Sequence, residues 1–241
     1  NDTLFFYANG GSSTGVELWV VQTNAAPTDL ALSTASVPEN SPVGTSVGRF
    51  NTTDPNIANL FTYTLVSGTG ATDNASFSVD GNTLKTAASF NFEAKSSYSI
   101  RVNTTDQEGL SFEKSFIISV TNVNDAPVIG AFDTPVTYRE NGLPTVLDLN
   151  ATVVDVDSLN LATGKLTVSI PVNSQSTDRI GIKSLGNAAG QIGVAGTTVR
   201  YGGVAIGTFT GNRTVVVTLN SSATPAAVQA LLRSLTFSSV S

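Results

Sequence analysis

From Thr28 to Val123, and again beyond Val128, short runs of alternating apolar and polar residues are cut off by Gly, Asn, Asp or Pro. Alternation sends successive side chains to opposite faces of an extended chain, so such a run suits a half-buried strand and not a helix. Val47 to Phe50, Phe61 to Val66, Tyr98 to Val102 and Phe112 to Val120 are of this kind. About seven such strands within one domain predict two antiparallel sheets packed face to face. The chain is thus expected to be all-β, and charged residues at only 12% leave its polar positions to Ser, Thr and Asn, threaded between apolar ones.

Two segments punctuate this pattern. Asn24-Ala25-Ala26-Pro27 and Asn122-Val123-Asn124-Asp125-Ala126-Pro127 both end in Ala-Pro, roughly a hundred residues apart, a spacing that marks a tandem array. Three segments follow: a hairpin over 1–24, a sandwich over 25–124 and a second sandwich-like domain over 125–241. In the hairpin, Leu4 to Tyr7 and Val16 to Val21 flank a turn-rich stretch, and Tyr7 and Trp19 are expected to pack beneath it. In the second domain Leu166 to Ile170, Thr197 to Tyr201, Val204 to Phe209 and Val215 to Leu219 are strand candidates, with a tight turn at Gly202-Gly203. One short helix is predicted, capped by Thr224 and opened by Pro225, with Ala226 to Leu232 as its body and a strand at Leu235 to Phe237 after it. No signal peptide precedes the first strand, and no linker follows the last. The chain is therefore expected to be a piece of a longer protein, with its second domain cut short.

Composition narrows the chemistry. Cys, His and Met are absent from the 241 residues, which excludes disulfides, thiolate or His-based catalytic dyads and triads, and any metal site built on Cys or His. The net charge of -6 comes without a basic cluster, so nucleic acid is not an expected partner, and no run is long enough for a membrane helix. What remains is oxygen chemistry, the ligand set of hard cations such as calcium.

The acids and amides fall in short motifs. In order they are Pro38-Glu39-Asn40; Asp54-Pro55-Asn56 with Asn59 beyond; Asn91-Phe92-Glu93; Thr104-Thr105-Asp106; and the Asn122 to Pro127 linker. Glu140-Asn141 and Asp155-Val156-Asp157 repeat the first two in the second domain. This set resembles the cadherin repeat, whose motifs PEN, DxD, LDxE, AxD and DxNDxAP occur in that order, and the resemblance covers about residues 27 to 127. It extends more thinly to Ile170, while the hairpin resembles one unit of an ELWV-type repeat of large bacterial surface proteins. The implied architecture is two tandem immunoglobulin-like, cadherin-like β-sandwiches.

The resemblance also implies a ligand set. Glu39 and Glu93 would come from the lower end of the first domain, Asn122, Asn124 and Asp125 from the linker, and Asp155 and Asp157 from the second domain. Calcium asks for about 6–8 oxygens, more than one sandwich end supplies. Without a cation these carboxylates repel, and with calcium the joint would stiffen. A weaker upper site would use Asp54, Asn56, Asn59 and Asp106. It is expected to be weak because Asn56 stands where the motif has an acid and because Asn24-Ala25-Ala26-Pro27 carries none. The LDxE motif, too, has Asn91 in place of its first acid. Asp133, Asp148 and Asp178 are expected to be solvated turn residues.

The function this predicts is a calcium-binding structural or adhesion module of an extracellular protein, secreted or on a cell surface, and not an enzyme. Its partners would be calcium, neighbouring domains of the same chain, and a homophilic, cell-surface or glycan ligand. A carbohydrate-binding module is the alternative, though aromatics at 7% form no evident row. A glycoside hydrolase using paired carboxylates is remoter, since the acids lie in ligation motifs.

Overall fold

A computed structural model of the chain describes residues 3–9, 16–56, 60–132 and 135–240. The chain divides into two compact units, Asn1–Val123 and Asn124–Ser241. Unit 1 opens with β1 (Thr3–Asn9) and β2 (Val16–Gln22), an antiparallel pair in which Thr3 stands opposite Gln22 and Asn9 opposite Val16. The hairpin side chains, Tyr7 and Trp19 included, lie outside the described set.

The sandwich of unit 1 has eight strands: β3 (Asp29–Leu32), β4 (Ser36–Pro38), β5 (Ser46–Thr53), β6 (Thr62–Leu65), β7 (Phe77–Asp80), β8 (Thr83–Thr86), β9 (Ser97–Thr105) and β10 (Ser111–Thr121). One sheet has the order β3-β5-β8-β7, the other β4-β10-β9-β6. The central strands follow the alternation read from sequence. Ile100, Val102 and Thr104 of β9, Ile118 and Val120 of β10 and Val37 of β4 point inward, to join Leu30, Phe50, Phe77 and Leu84 from the facing sheet. Rings close the core, with Phe50 stacked on Tyr63 at 5.3 Å and Phe90 against Tyr98 at 4.5 Å.

The edge strand entering this sandwich changes sheets between Leu32 and Ser36. β3 pairs antiparallel with β5, and β4 pairs parallel with β10. The crossing is held by the Ser33 amide on the Arg49 carbonyl at 2.9 Å and by the Thr34 hydroxyl on the Val47 carbonyl. It passes so close to β5 that a Cβ on Gly48 would collide with the Thr34 carbonyl, and a bulge falls at the same place, between Ser46 and Gly48.

Unit 2 contains β11 (Val128–Gly130), β12 (Thr145–Val146), β13 (Thr152–Val154), β14 (Lys165–Ser169), β15 (Arg179–Ile182), β16 (Ile192–Ala195), β17 (Thr198–Tyr201), β18 (Val204–Thr210), β19 (Thr214–Leu219), α1 (Pro225–Leu232) and β20 (Leu235–Ser238). Its sheets have the orders β14-β19-β18-β17-β16, β12-β20-β15 and β11-β13. Gly202 and Gly203, with φ of 56° and 83°, make the two-residue turn between β17 and β18. The helix starts as its sequence predicts. The Thr224 hydroxyl accepts from the Ala227 amide, Pro225 takes the first position, and Ala227, Val228, Leu231 and Leu232 are buried. They pack with Val199, Ile206, Val215 and Val217 in one core. An apolar cleft of about 410 Å³ opens beside Leu166 and Val168 of β14, an edge strand of its sheet.

Candidate metal centre

The motif residues of unit 1 sort to two ends of the sandwich. Glu93 precedes β9 and Asp106 follows it, and a nine-residue strand spans ~30 Å. Glu39 follows β4, whose partner β10 ends at Thr121, so Glu39, Glu93 and Asn122 share one end. Asp54 follows β5, whose Thr53 pairs with Asp29, so Asp54, Asn56, Asp106 and the entering linker share the other.

At the first end Glu39 is 2% exposed. Its Oε2 accepts from the Phe92 amide and its Oε1 from the Val123 amide, both at 2.8 Å. Asn40, in the left-handed region at φ 58°, turns the chain there and donates its amide to the Phe90 carbonyl at 3.0 Å. Phe90 is buried against Tyr98 and Phe77, so the loop carrying Glu93 is anchored in the core. Asn91 Oδ1 accepts from the Ala94 amide at 2.6 Å, so where the motif has its first acid this chain has a turn cap. Glu93 is exposed, receives the Asn122 side-chain amide at 3.1 Å, and brings a carboxylate oxygen within 4.8 Å of one from Glu39. Among the described residues Glu39 pairs with no Lys or Arg. A buried carboxylate without a cationic side chain, beside a second carboxylate, is a set of hard oxygens with charge left to neutralise, and this fits calcium.

Unit 2 opens with its own group. Asp155 Oδ1 accepts from the amides of Asp157 at 3.1 Å and Ser158 at 2.7 Å, an Asx turn that presents both acids. Asp157 Oδ2 accepts from the Asp125 amide, and Asn124 Oδ1 from the Ser158 hydroxyl at 3.3 Å. Asn141 repeats the left-handed turn of Asn40, with φ 61°, so the two Glu-Asn motifs share a backbone conformation.

At the other end of unit 1, Asp54 Oδ1 accepts from the Asn56 amide at 2.7 Å, while Oδ2 is buried without a hydrogen-bond partner among the described residues. Asp106 is 5% exposed and accepts from the Glu108 amide at 3.0 Å, the Leu110 amide at 2.9 Å and the Asn24 side chain at 2.8 Å. Burial pushes the Asp106 carboxyl up, but Asn24 and the backbone amides outweigh it and hold it below the ordinary 3.8. Asn59 and Asp133 lie outside the described residues. Asp148 is a turn residue that accepts from Asn150 and Ala151, as expected. Asp178 differs from expectation, being buried where it accepts from the Gln175 amide at 2.7 Å.

Asn24 was not singled out in sequence as a functional residue. Its partner is 82 residues away, and no local motif marks the pairing.

Residues 33–121 match the family model of the cadherin domain. The Fat-like cadherin-related tumor suppressor homolog of Drosophila melanogaster is 30% identical over 129 residues, which is 51% of this chain and 3% of that protein. Solved structures similar to the chain include human protocadherin-24 EC1-2, 21% identical, covering 64% of this chain and 72% of that one with a TM-score of 0.40. Chicken VE-cadherin EC1-2 is 28% identical, covering 45% and 58% with a TM-score of 0.31. The protocadherin gammaB7 EC3-6 cis-dimer structure is 20% identical, covering 82% and 40% with a TM-score of 0.38. Among the described residues no helix is long and apolar enough to cross a membrane.

Proposed function

We propose that the chain is a calcium-dependent structural and adhesion module of a large extracellular protein, with Ca2+ stiffening the joint between its two units. The observation that carries this reading is Glu39, a buried carboxylate held by two backbone amides and, among the described residues, by no cationic side chain. Glu39, Glu93 and Asn122 would supply oxygens from unit 1. Asn124, Asp125, Asp155 and Asp157 would supply them from unit 2, to which Asn122 and Val123 lead directly along the chain. The ion would add positive charge among acids that otherwise repel, and the chain's own amides would hold those acids in place. Asp54, Asn56, Asn59 and Asp106 make a second, weaker set, for which the partnerless Asp54 Oδ2 is the supporting observation.

Neighbouring domains of the same chain, and a homophilic, cell-surface or glycan contact, are the adhesive side of the proposal. The bacterial surface-protein setting is proposed from the resemblance of the hairpin and from the style of the second domain.

Thermal unfolding of the 241-residue chain in EDTA and then in millimolar calcium tests the proposal. Binding to the folded state alone stabilises by ~3–4 kcal/mol at a hundred to a thousand times the dissociation constant. A rise of several degrees is expected, lost in Asp125→Ala and Glu93→Ala. An unchanged melt would mean that the acids bind no calcium of useful affinity.

A further inference from the structure

The linker that enters the first sandwich is tied down by amides. The Ala25 N–H donates to Asn56 Oδ1 at 2.7 Å, and Asn56 Nδ2 donates to the Thr23 carbonyl at 3.1 Å. One carboxamide thus bonds the main chain on both sides of Asn24, as a neighbouring strand would. The Asn24 side chain then donates to Asp106 Oδ2 at 2.8 Å. Each grip is itself braced, Asn56 by Asp54 and Asp106 by the Glu108 and Leu110 amides. Beyond Pro27, the Thr28 amide reaches the Thr53 carbonyl at 2.8 Å and the β3–β5 ladder begins. Bonds thus hold Thr23 to Ala25 and resume at Thr28 where the sheet begins, beyond Pro27, which has no N–H to give.

We infer that Asn24 and Asn56 form a calcium-independent latch, which keeps the segment between β2 and β3 ordered when calcium is removed. A buried carboxylate such as Asp106 needs positive partners, which can be a cation or N–H groups. Here N–H groups serve, and the linker supplies one of them. An acid in place of Asn24 would set a second carboxylate against Asp106, and only a cation would then hold the two together. An ion on Asp54 Oδ2 would add to this latch without being needed for it.

Amide hydrogen exchange of the whole chain reads the latch residue by residue, with Ile100 in β9 as a control for the folded core. The Ala25 amide is expected to exchange equally slowly in EDTA and in millimolar calcium. Asn56→Ala should speed it about tenfold in both conditions, the loss of one or two modest hydrogen bonds. Asn24→Asp should make exchange across Thr23 to Ala25 fast in EDTA and slow again in calcium. Protection of Ala25 that appears only with calcium would overturn the inference, as would unchanged exchange in Asn56→Ala. Calcium protection confined to Val123 to Asp125 concerns the other end, so the latch and the proposed calcium joint can fail separately.

Discussion

The two ends of the first sandwich carry similar acids in different company. At the entering end Asp106 is surrounded by N–H groups, one of them from a linker without acids. At the leaving end Glu39 takes two backbone amides, and Glu93 lies close enough to it for their charges to interact. The difference teaches that the number of acids does not decide whether a sandwich end needs a cation. What decides it is how many donors the neighbouring chain brings, and whether it brings further acids.

Removing Glu39 should break this comparison hardest. Glu39→Ala takes the acceptor from the Phe92 and Val123 amides, and a hydrogen bond to a charged group contributes ~1.5–3 kcal/mol. A loss of about 3 kcal/mol is therefore expected in EDTA, by urea unfolding, before calcium enters at all. Glu39→Gln keeps one acceptor oxygen and should lose about 1 kcal/mol. Equal losses in the two variants would mean that the loop repacks and that the carboxylate does not organise this end.

The entering end should answer to pH. Asp106 ionises more readily in the fold than the ordinary 3.8, so its charged form is the stabilising one. That stability is fully present above the ordinary value and is lost as pH falls through the lowered one. Asp106→Asn should therefore be less stable than the parent near neutrality and approach it as the medium is acidified below about pH 4. Asp73 is also held low: burial raises it, but Lys95 and the Ser99 amide outweigh this, and since both proteins retain it, it cancels from the difference. Urea unfolding at stepped pH in EDTA checks this. Parallel curves would show that Asp106 and its donors contribute nothing specific to the charged form.

Much of this contrast was legible beforehand, and the rest was not for identifiable reasons. Ordered motifs separate Glu39 and Glu93 from Asp54 and Asp106, and the strands beside the last three, β5 and β9, alternate over enough residues to recognise. The helix was legible because Thr224 and Pro225 act within one turn of it. The sheet change between β3 and β4 was not, since strands of four and three residues are too short for a period. Only Gly48, which admits the crossing, hints at it. The latch was hidden because Asn24, Asn56 and Asp106 meet only when β3, β5 and β9 are in register. In sequence the missing acids at Asn56 and Ala25 look like losses, whereas in space Asn56 gives the Thr23 carbonyl a hydrogen bond that an ionised acid could not donate.

Glu93 gives the smallest effect on stability and the sharpest use of the comparison. Its side chain is exposed, and the contact from Asn122 lies at the surface. Exposed substitutions away from special features usually shift stability by no more than ~0.5 kcal/mol. Glu93→Ala should therefore melt with the parent in EDTA and fall behind it only when calcium is added, because the parent gains and the variant does not. Glu39→Ala confounds loss of a ligand with loss of a buried acceptor, and Glu93→Ala removes the ligand alone. If Glu93→Ala gained as much from calcium as the parent, the pairing of Glu39 with Glu93 would not be what an ion uses. The leaving end would then be, like the entering one, an end held by N–H groups.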